Sequence, residues 1–103
     1  MPVHLYGHPA NMEEIIKIAN KHNLKVLEDA APAIGAKCHD RYCSTYGDVS
    51  VFSFQGAKMM VTGEGGIVLT NDDNVFNKIK QYSEHGRSTD PKKTFWIETI
   101  GYK

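Results

Sequence analysis

The chain has 103 residues, with 12 basic and 12 acidic side chains and a formal charge of zero, which leaves room for one small domain. Balanced charge gives no sign of a nucleic-acid partner or a basic membrane-binding face, and no apolar run is long enough to cross a bilayer. The first residues lack the blocks of a signal peptide, and two cysteines are too few for a disulfide framework. These features predict a cytoplasmic protein.

The first third of the chain predicts a helix and then a short strand. Asn11 is a typical helix cap, and apolar residues recur at helical spacing over about residues 12–22. The strand Lys25-Val26-Leu27 then ends at the acidic pair Glu28-Asp29. The small apolar residues 30–36 that follow indicate close packing against a sheet.

The remainder predicts a hairpin, two strands and a second helix. These are a hairpin tip around residues 38–44, strands over residues 49–54 and 66–70, and a helix that follows residues 71–73 and runs to about His85. Gly86 is expected to end that helix as a capping glycine. The order of elements favours an α/β layer over a helix bundle or a β-sandwich.

Apolar residues are concentrated near the end of the chain, where no element remains to cover them. They are Phe95, Trp96, Ile97, Ile100 and Tyr102. Either they pack back on the sheet or the chain is a fragment of a longer protein, and we favour the fragment.

Asp29 is a candidate ligand-binding residue because it stands at the end of an apolar strand. In parallel α/β sheets, ligands lie beyond the carboxyl ends of the strands. The alternative is that Asp29 only caps a helix or a turn, and the local pattern alone favours that role.

Lys58 is a second candidate, since it follows a strand and a glycine-containing turn and precedes Met59-Met60-Val61. An amine among apolar groups loses hydration, which favours its neutral, imine-forming state. Most lysines with apolar neighbours instead extend the ammonium group to water, and Lys58 taken alone fits that description better.

Other patterns do not match familiar sites. The stretch Thr62-Gly63-Glu64-Gly65-Gly66 lets the backbone approach a ligand, but Ile67-Val68 follows where a phosphate-binding loop needs Lys and Ser or Thr. Cys38, His39 and Cys43 are a single group without a second ligand pair, so no metal site is expected. The remaining scattered histidines expected to be solvated are His4, His8 and His22.

Taken in order, several stretches resemble the DegT/DnrJ/StrS-type sugar aminotransferases from Pro2 to Tyr102. The stretches are Pro2-Val3-His4-Leu5-Tyr6-Gly7, Glu28-Asp29-Ala30-Ala31, Gly47-Asp48, Phe52-Ser53-Phe54 with Lys58, and Thr62-Gly63-Glu64-Gly65-Gly66. The resemblance implies an α/β, aspartate-aminotransferase-like (fold type I) large domain with a mainly parallel sheet. It also implies a homodimer that transfers an amino group, with glutamate as the expected donor, to a nucleotide-linked keto-deoxysugar in polysaccharide biosynthesis.

The same resemblance implies that three residues bind pyridoxal 5′-phosphate (PLP). Lys58 matches the lysine that forms a Schiff base with PLP, and Asp29 matches the acid that keeps the pyridine nitrogen protonated. Ser53 matches a hydroxyl that binds the cofactor phosphate. Pro32 departs from the Gln or His that many members carry near the ring oxygen, so that contact is absent or comes from elsewhere. Lys58 argues against the related sugar dehydratases, which have histidine there.

Because family members are several times longer, we expect residues 1–103 to be a central part of the cofactor-binding large domain. The N-terminal segment and the C-terminal small domain would then be absent, and the isolated chain would be inactive. The alternative is a non-catalytic protein of the same fold, either truncated or regulatory.

Overall fold

The structure, a computed structural model, describes residues 1–102 and divides into two compact units, Met1–Thr70 and a second that begins at Asn71. The elements are α1 (Met12–Lys21), β1 (Leu27–Asp29), β2 (Lys37–Cys38), β3 (Arg41–Tyr42), β4 (Val49–Ser53), β5 (Gly66–Thr70) and α2 (Asp73–Ser83), with a 3-10 turn at Leu5–Gly7. Their order confirms the predicted succession of helix, strand, hairpin, strand, strand and helix.

Helix α1 begins where its capping residue predicts. The side chain of Asn11 accepts a hydrogen bond from the Glu14 backbone N–H at 3.4 Å, which satisfies one of the free donors of the first turn. One face of the helix enters a buried cluster consisting of Met12, Ala19, Val26 and Cys38. The cluster joins α1 to the residue before β1 and to the hairpin.

A mixed three-stranded sheet in the order β1-β4-β5 organises the first unit. β1 and β4 are parallel, with Asp29 opposite Val51, whereas β4 and β5 are antiparallel, with Ser53 opposite Gly66. On the other side of β1, Val3 forms a parallel bridge to Asp29. The carboxyl end of β1 is therefore paired on both sides.

β1 begins at Leu27, two positions later than the sequence predicts. The backbone N–H of Val26 donates to Oδ2 of Asp48 at 2.9 Å, and the Val26 carbonyl accepts from the Asp48 N–H at 2.9 Å. A side chain thus takes the place of a strand partner at Val26, and regular pairing starts after it.

The connection between the parallel strands β1 and β4 contains a hairpin. β2 and β3 pair through Lys37 with Tyr42 and Cys38 with Arg41, and His39 at the tip has a positive φ of 53°. This confirms the predicted tip. The small residues before the hairpin are closely packed as predicted, since Ala30, Ala33 and Cys43 form a second buried cluster.

The second unit contains α2, whose side-chain cap is Asp72, accepting two backbone N–H groups at 2.8 and 3.2 Å. The helix ends at Ser83, and His85 (φ 63°) and Gly86 (φ 70°) both have the left-handed conformation of a closing turn. The Gly86 N–H donates to the Gln81 carbonyl at 2.8 Å. Gly86 therefore closes the helix with a left-handed backbone and a hydrogen bond to its last turn, as predicted for a capping glycine.

The apolar residues near the end of the second unit are exposed. The exposed fractions are 75% for Phe95, 63% for Trp96, 56% for Ile97, 79% for Ile100 and 70% for Tyr102. They add nothing to the buried core of the described residues. Neither helix within residues 1–102 has the length and apolar character needed to cross a membrane.

Candidate functional site

The sheet places two of the predicted site residues at one edge. Because β1 and β4 are parallel, their carboxyl ends are neighbours, and the register sets Asp29 opposite Val51, two residues before Ser53. Lys58 lies in the loop that follows β4. The carboxyl ends of parallel strands are where ligands bind in α/β folds, as predicted for Asp29.

Asp29 caps a turn with one carboxylate oxygen and leaves the other oxygen available. Its Oδ1 accepts the Ala31 backbone N–H at 3.1 Å, which is the turn-capping role. Within residues 1–102, Oδ2 has no hydrogen-bond partner, and the residue is half-buried. The backbone of Asp29 donates to the Pro2 carbonyl at 2.9 Å and accepts from the His4 N–H at 3.0 Å. One carboxylate oxygen thus stabilises the turn while the other can bind a ligand.

Ser53 is the last residue of β4, and its hydroxyl has an unused hydrogen-bond donor. It is half-buried, and its Oγ accepts the Gln55 backbone N–H at 3.4 Å, a long hydrogen bond. Its hydroxyl donates to no group in the part of the chain that the structure describes. The Ser53 hydroxyl can therefore donate a hydrogen bond to a ligand.

Lys58 is held by a loop that closes at its base. The Phe54 N–H donates to the Gly65 carbonyl at 2.9 Å, and the Thr62 N–H donates to the Phe54 carbonyl at 3.0 Å. The Lys58 backbone N–H donates to the Gln55 carbonyl at 2.9 Å, which forms a turn. Its side chain is half-buried, and its amine has no hydrogen bond or ion pair with residues 1–102.

The apolar residues after Lys58 do not enclose it. Met59 is 77% exposed, Met60 51% and Val61 49%, so the apolar surroundings suggested by the sequence are not formed by these three side chains. The glycines after them shape the loop, and Gly65 has φ 141°, which side-chain-bearing residues rarely adopt. The three apolar side chains that follow Lys58 therefore do not shield its amine from water.

Behind Asp29 lies a buried carboxylate that sequence reasoning did not single out. Glu28 is fully buried and accepts backbone N–H groups from Ser44 at 2.8 Å, Tyr46 at 2.7 Å and Gly47 at 2.5 Å. A fourth hydrogen bond joins it to His4 Nε2 at 3.2 Å. We call Glu28, His4 and these loop residues the Glu28 clasp. The prediction that His4 is solvated is wrong, because its exposed fraction is zero.

The tautomer of His4 follows from its second contact. Nδ1 lies 3.1 Å from the Ala10 backbone N–H and must accept from it, so the ring proton is on Nε2 and is donated to Glu28. A buried carboxylate costs several kcal/mol to desolvate, and each hydrogen bond to a charged group returns about 1.5–3 kcal/mol. Four such bonds explain how Glu28 is buried without a cation.

The clasp also affects a neighbouring thiol. Burial raises the pKa of Cys43, and the negative charge of Glu28 raises it further. Both cysteines are buried and unpaired with each other. Among residues 1–102, no group of three or more His, Cys, Asp or Glu side chains is arranged to hold a metal ion.

A cleft lies away from this strand edge. It has a volume of about 580 Å³ and is lined by α1 and the β2–β3 hairpin, with Glu13 and Arg41 among its charged residues. Asp29, Ser53 and Lys58 do not contribute to its walls. The candidate site is defined by the carboxyl ends of the parallel strands and lies outside this cleft.

Comparison with known proteins identifies a family, relatives and solved structures that this chain resembles. The profile of the DegT/DnrJ/EryC1/StrS aminotransferase family matches residues 1–103. GDP-perosamine synthase of Escherichia coli O157:H7 is 44% identical over 102 residues, which cover 99% of this chain and 28% of that protein. Helicobacter pylori PseC, an aminotransferase involved in the biosynthesis of pseudoaminic acid, superposes with a TM-score of 0.88 at 31% identity, covering 97% of this chain and 27% of PseC.

A third relative was solved with the expected cofactor. Escherichia coli GDP-4-keto-6-deoxy-D-mannose-3-dehydratase with bound hydrated PLP has a TM-score of 0.84 at 27% identity, covering 97% of this chain and 30% of the dehydratase. These similarities confirm the α/β fold of the fold type I aminotransferases. The chain spans about 28% of the length of the curated relative. Since the family profile covers every residue, the chain belongs to the DegT/DnrJ/EryC1/StrS aminotransferase family.

Proposed function

We propose that residues 1–103 are part of the cofactor-binding large domain of a longer PLP-dependent sugar aminotransferase. Family membership and the share of its relatives' length that the chain spans support this proposal. The full-length protein would transfer an amino group, with glutamate as the expected donor, to a nucleotide-linked keto-deoxysugar, and would act as a homodimer. By itself the chain is expected to be inactive, because most of the enzyme would be missing.

The polar atoms at the strand edge fit PLP. A pyridine nitrogen needs a carboxylate, a phosphate needs hydrogen-bond donors and an aldehyde needs an amine. Asp29 Oδ2 and the Lys58 amine have no partner among residues 1–102, and the Ser53 hydroxyl, which accepts one hydrogen bond, donates to no group there. When bound, PLP supplies an electron sink for bond cleavage at the amino-bearing carbon.

Each residue has a distinct part in this proposal. Asp29 would hold the proton on the ring nitrogen through its negative charge, and Ser53 would orient the cofactor by donating to its phosphate. The Lys58 amine would bind the aldehyde carbon and would take and return a proton at the substrate carbon. The observation that carries the proposal is the parallel pairing of β1 and β4, which makes the ends of the strands bearing Asp29 and Ser53 neighbours.

Borohydride reduction of the full-length protein, followed by peptide mapping, tests the assignment of Lys58. We expect PLP to be fixed on the peptide that contains Lys58 and its visible absorption band to be absent in Lys58→Ala. Lys37→Ala, which changes an exposed lysine on the hairpin, is the matched control and should keep the band. Label on another lysine would overturn the assignment, and no label at all would favour the non-catalytic alternative.

A further inference from the structure

We propose that Glu28 and His4 are positioning residues for Asp29. This inference rests on the proposed function, in which Asp29 binds the ring nitrogen of PLP. Glu28 and Asp29 are consecutive residues of β1, so their side chains point to opposite faces of the strand. Glu28 is fully buried while Asp29 is half-buried, so the clasp can act on Asp29 only by fixing the strand between them.

The first argument is that one residue contacts both acids. The His4 backbone N–H donates to the Asp29 carbonyl at 3.0 Å, and its side chain donates to the Glu28 carboxylate at 3.2 Å. A displacement of His4 would therefore move the strand at both positions. The backbone N–H of Asp29 donates to the Pro2 carbonyl at 2.9 Å. The N-terminal segment therefore binds both the N–H and the carbonyl of Asp29.

The second argument is that the clasp requires a carboxylate. Three backbone N–H groups from one loop and the His4 ring N–H all point at the two oxygens of Glu28. Glutamine has a single side-chain oxygen, and its NH₂ group would face donors on the other side. The change Glu28→Gln keeps the size of the side chain and removes its ability to satisfy this set of donors.

The third argument is that the loop fits closely around the carboxylate. A Cβ on Gly47 would lie 2.7 Å from the Val26 carbonyl oxygen and 3.2 Å from Glu28 Cγ. The loop can approach Glu28 at this distance only because residue 47 has no side chain. The end of β1 is thus held by the loop, by the N-terminal segment and by β4, whose Val51 carbonyl accepts the Ala30 N–H at 3.0 Å.

The experiment compares Glu28→Gln with Met12→Ala in the full-length protein. Met12 is also fully buried but lies on α1, outside the clasp, so its change controls for a general loss of stability. Amide exchange is measured for Asp29 relative to Phe54, whose N–H donates to the Gly65 carbonyl outside both the clasp and α1. We expect this ratio to rise about tenfold in Glu28→Gln, as for the loss of one hydrogen bond, and to stay unchanged in Met12→Ala.

The visible absorption of bound PLP, recorded against pH, then tests the effect on Asp29. The band changes with the proton on the nitrogen that would join Lys58 to PLP, and the pKa of that nitrogen depends on whether the ring nitrogen holds its own proton. A displaced Asp29 would therefore shift the titration midpoint of the band. We expect that shift in Glu28→Gln and none in Met12→Ala. A merely structural role for Glu28 would lower the melting temperature of both variants and leave both midpoints in place.

Two changes at His4 separate its contacts and remain informative if Glu28→Gln does not fold. In His4→Gln the side-chain NH₂ can replace Nε2 as donor to Glu28, whereas in His4→Asn the side-chain oxygen can replace Nδ1 as acceptor from Ala10. We expect His4→Asn to shift the midpoint and His4→Gln to leave it close to that of the unmodified protein.

The outcomes distinguish the two proposals. Absence of a PLP band in the unmodified protein would overturn the proposed function, and with it the positioning role that depends on it. A band in the unmodified protein whose midpoint is the same in Glu28→Gln and His4→Asn would overturn the positioning role alone.

Discussion

The end of β1 and the loop that carries Lys58 are built in contrasting ways. Asp29 has backbone hydrogen bonds to the N-terminal segment, lies in a strand paired with β4, and follows the fully buried Glu28. The Lys58 loop is closed by backbone bonds near its base, and the Met59, Met60 and Val61 side chains that follow the lysine are about half or more exposed.

This difference separates two requirements of a binding site. The position of the acid is determined within residues 1–102, by contacts that are buried and satisfied. A neutral, reactive amine at Lys58 depends on desolvation, and the exposed side chains that follow it in the loop do not provide that desolvation. Changes near β1 should therefore act through rigidity, and changes in the Lys58 loop should be tolerated unless they touch the lysine itself.

The largest expected effect is that of Asp29→Asn on turnover by the full-length protein. An amide cannot hold the pyridinium proton by charge, so we expect PLP to remain bound while kcat falls roughly 10- to 100-fold, the value of one charge-assisted hydrogen bond. Asp48→Asn, which changes an acid at the opposite end of the parallel strands, should leave kcat within a few-fold. If Asp29→Asn also changed kcat by only a few-fold, Asp29 would act only as a turn cap.

Glycine-to-alanine changes compare the rigidity of the two regions directly. Gly47→Ala brings a methyl group against the Val26 carbonyl, and we expect it to cost about 1–3 kcal/mol of unfolding free energy, as overpacking does. Gly56→Ala, in the Lys58 loop, meets no atom within 4 Å and should change stability by about 0.5 kcal/mol or less. Denaturant unfolding of both variants measures the difference, and equal costs would remove the contrast between the regions.

The smallest expected effect concerns the amino end of β1. The Lys25 ammonium and then the Val26 N–H lower the pKa of Asp48 below its ordinary value of 3.8. A lowered pKa in the folded state means that Asp48 contributes stability above the unfolded value, and that this contribution is lost as the pH falls through the folded value. The side chain is 38% exposed, so we expect Asp48→Asn to cost about 1 kcal/mol or less at pH 7.

Urea unfolding at about pH 7 and about pH 3 measures this contribution, because the lower pH lies below the ordinary value of 3.8, where the unfolded chain binds the Asp48 proton. The stability difference between Asp48→Asn and the unmodified protein should shrink at the lower pH. Asp40→Asn, at the exposed hairpin tip, is the control. A difference independent of pH would show that the Asp48 contacts act through geometry alone.

The features that sequence predicted best depend on neighbouring residues. Asn11 caps α1 through a residue three positions away, and β4 and β5 show their own strand patterns. The missed features depend on distant partners. His4 and Glu28 are 24 residues apart, and Val26 and Asp48, whose bond delays β1, are 22 apart.

The family resemblance included these residues but did not predict the contacts between them. His4, Glu28, Gly47 and Asp48 all stand in the stretches that carried it, yet no local pattern tells that a histidine is buried or that a glycine wraps a carboxylate. The assignments of Lys58, Asp29 and Ser53 as cofactor ligands came from the same resemblance. They remain predictions, because neither the fold nor the family match tests the role of an individual side chain.

The clasp also fixes the register of β1, in which Glu28 faces inward and Asp29 faces outward. Side chains alternate along a strand, so sliding β1 by one position would bury Asp29 and turn Glu28 toward the strand edge where Asp29 now stands. Both residues carry a carboxylate, and composition alone would not prevent this exchange. The donors gathered around Glu28 from Ser44, Tyr46 and Gly47 fit one register, since the slipped strand would leave them facing a shorter side chain. The buried donors around Glu28 therefore determine that Asp29 is the acid that faces outward.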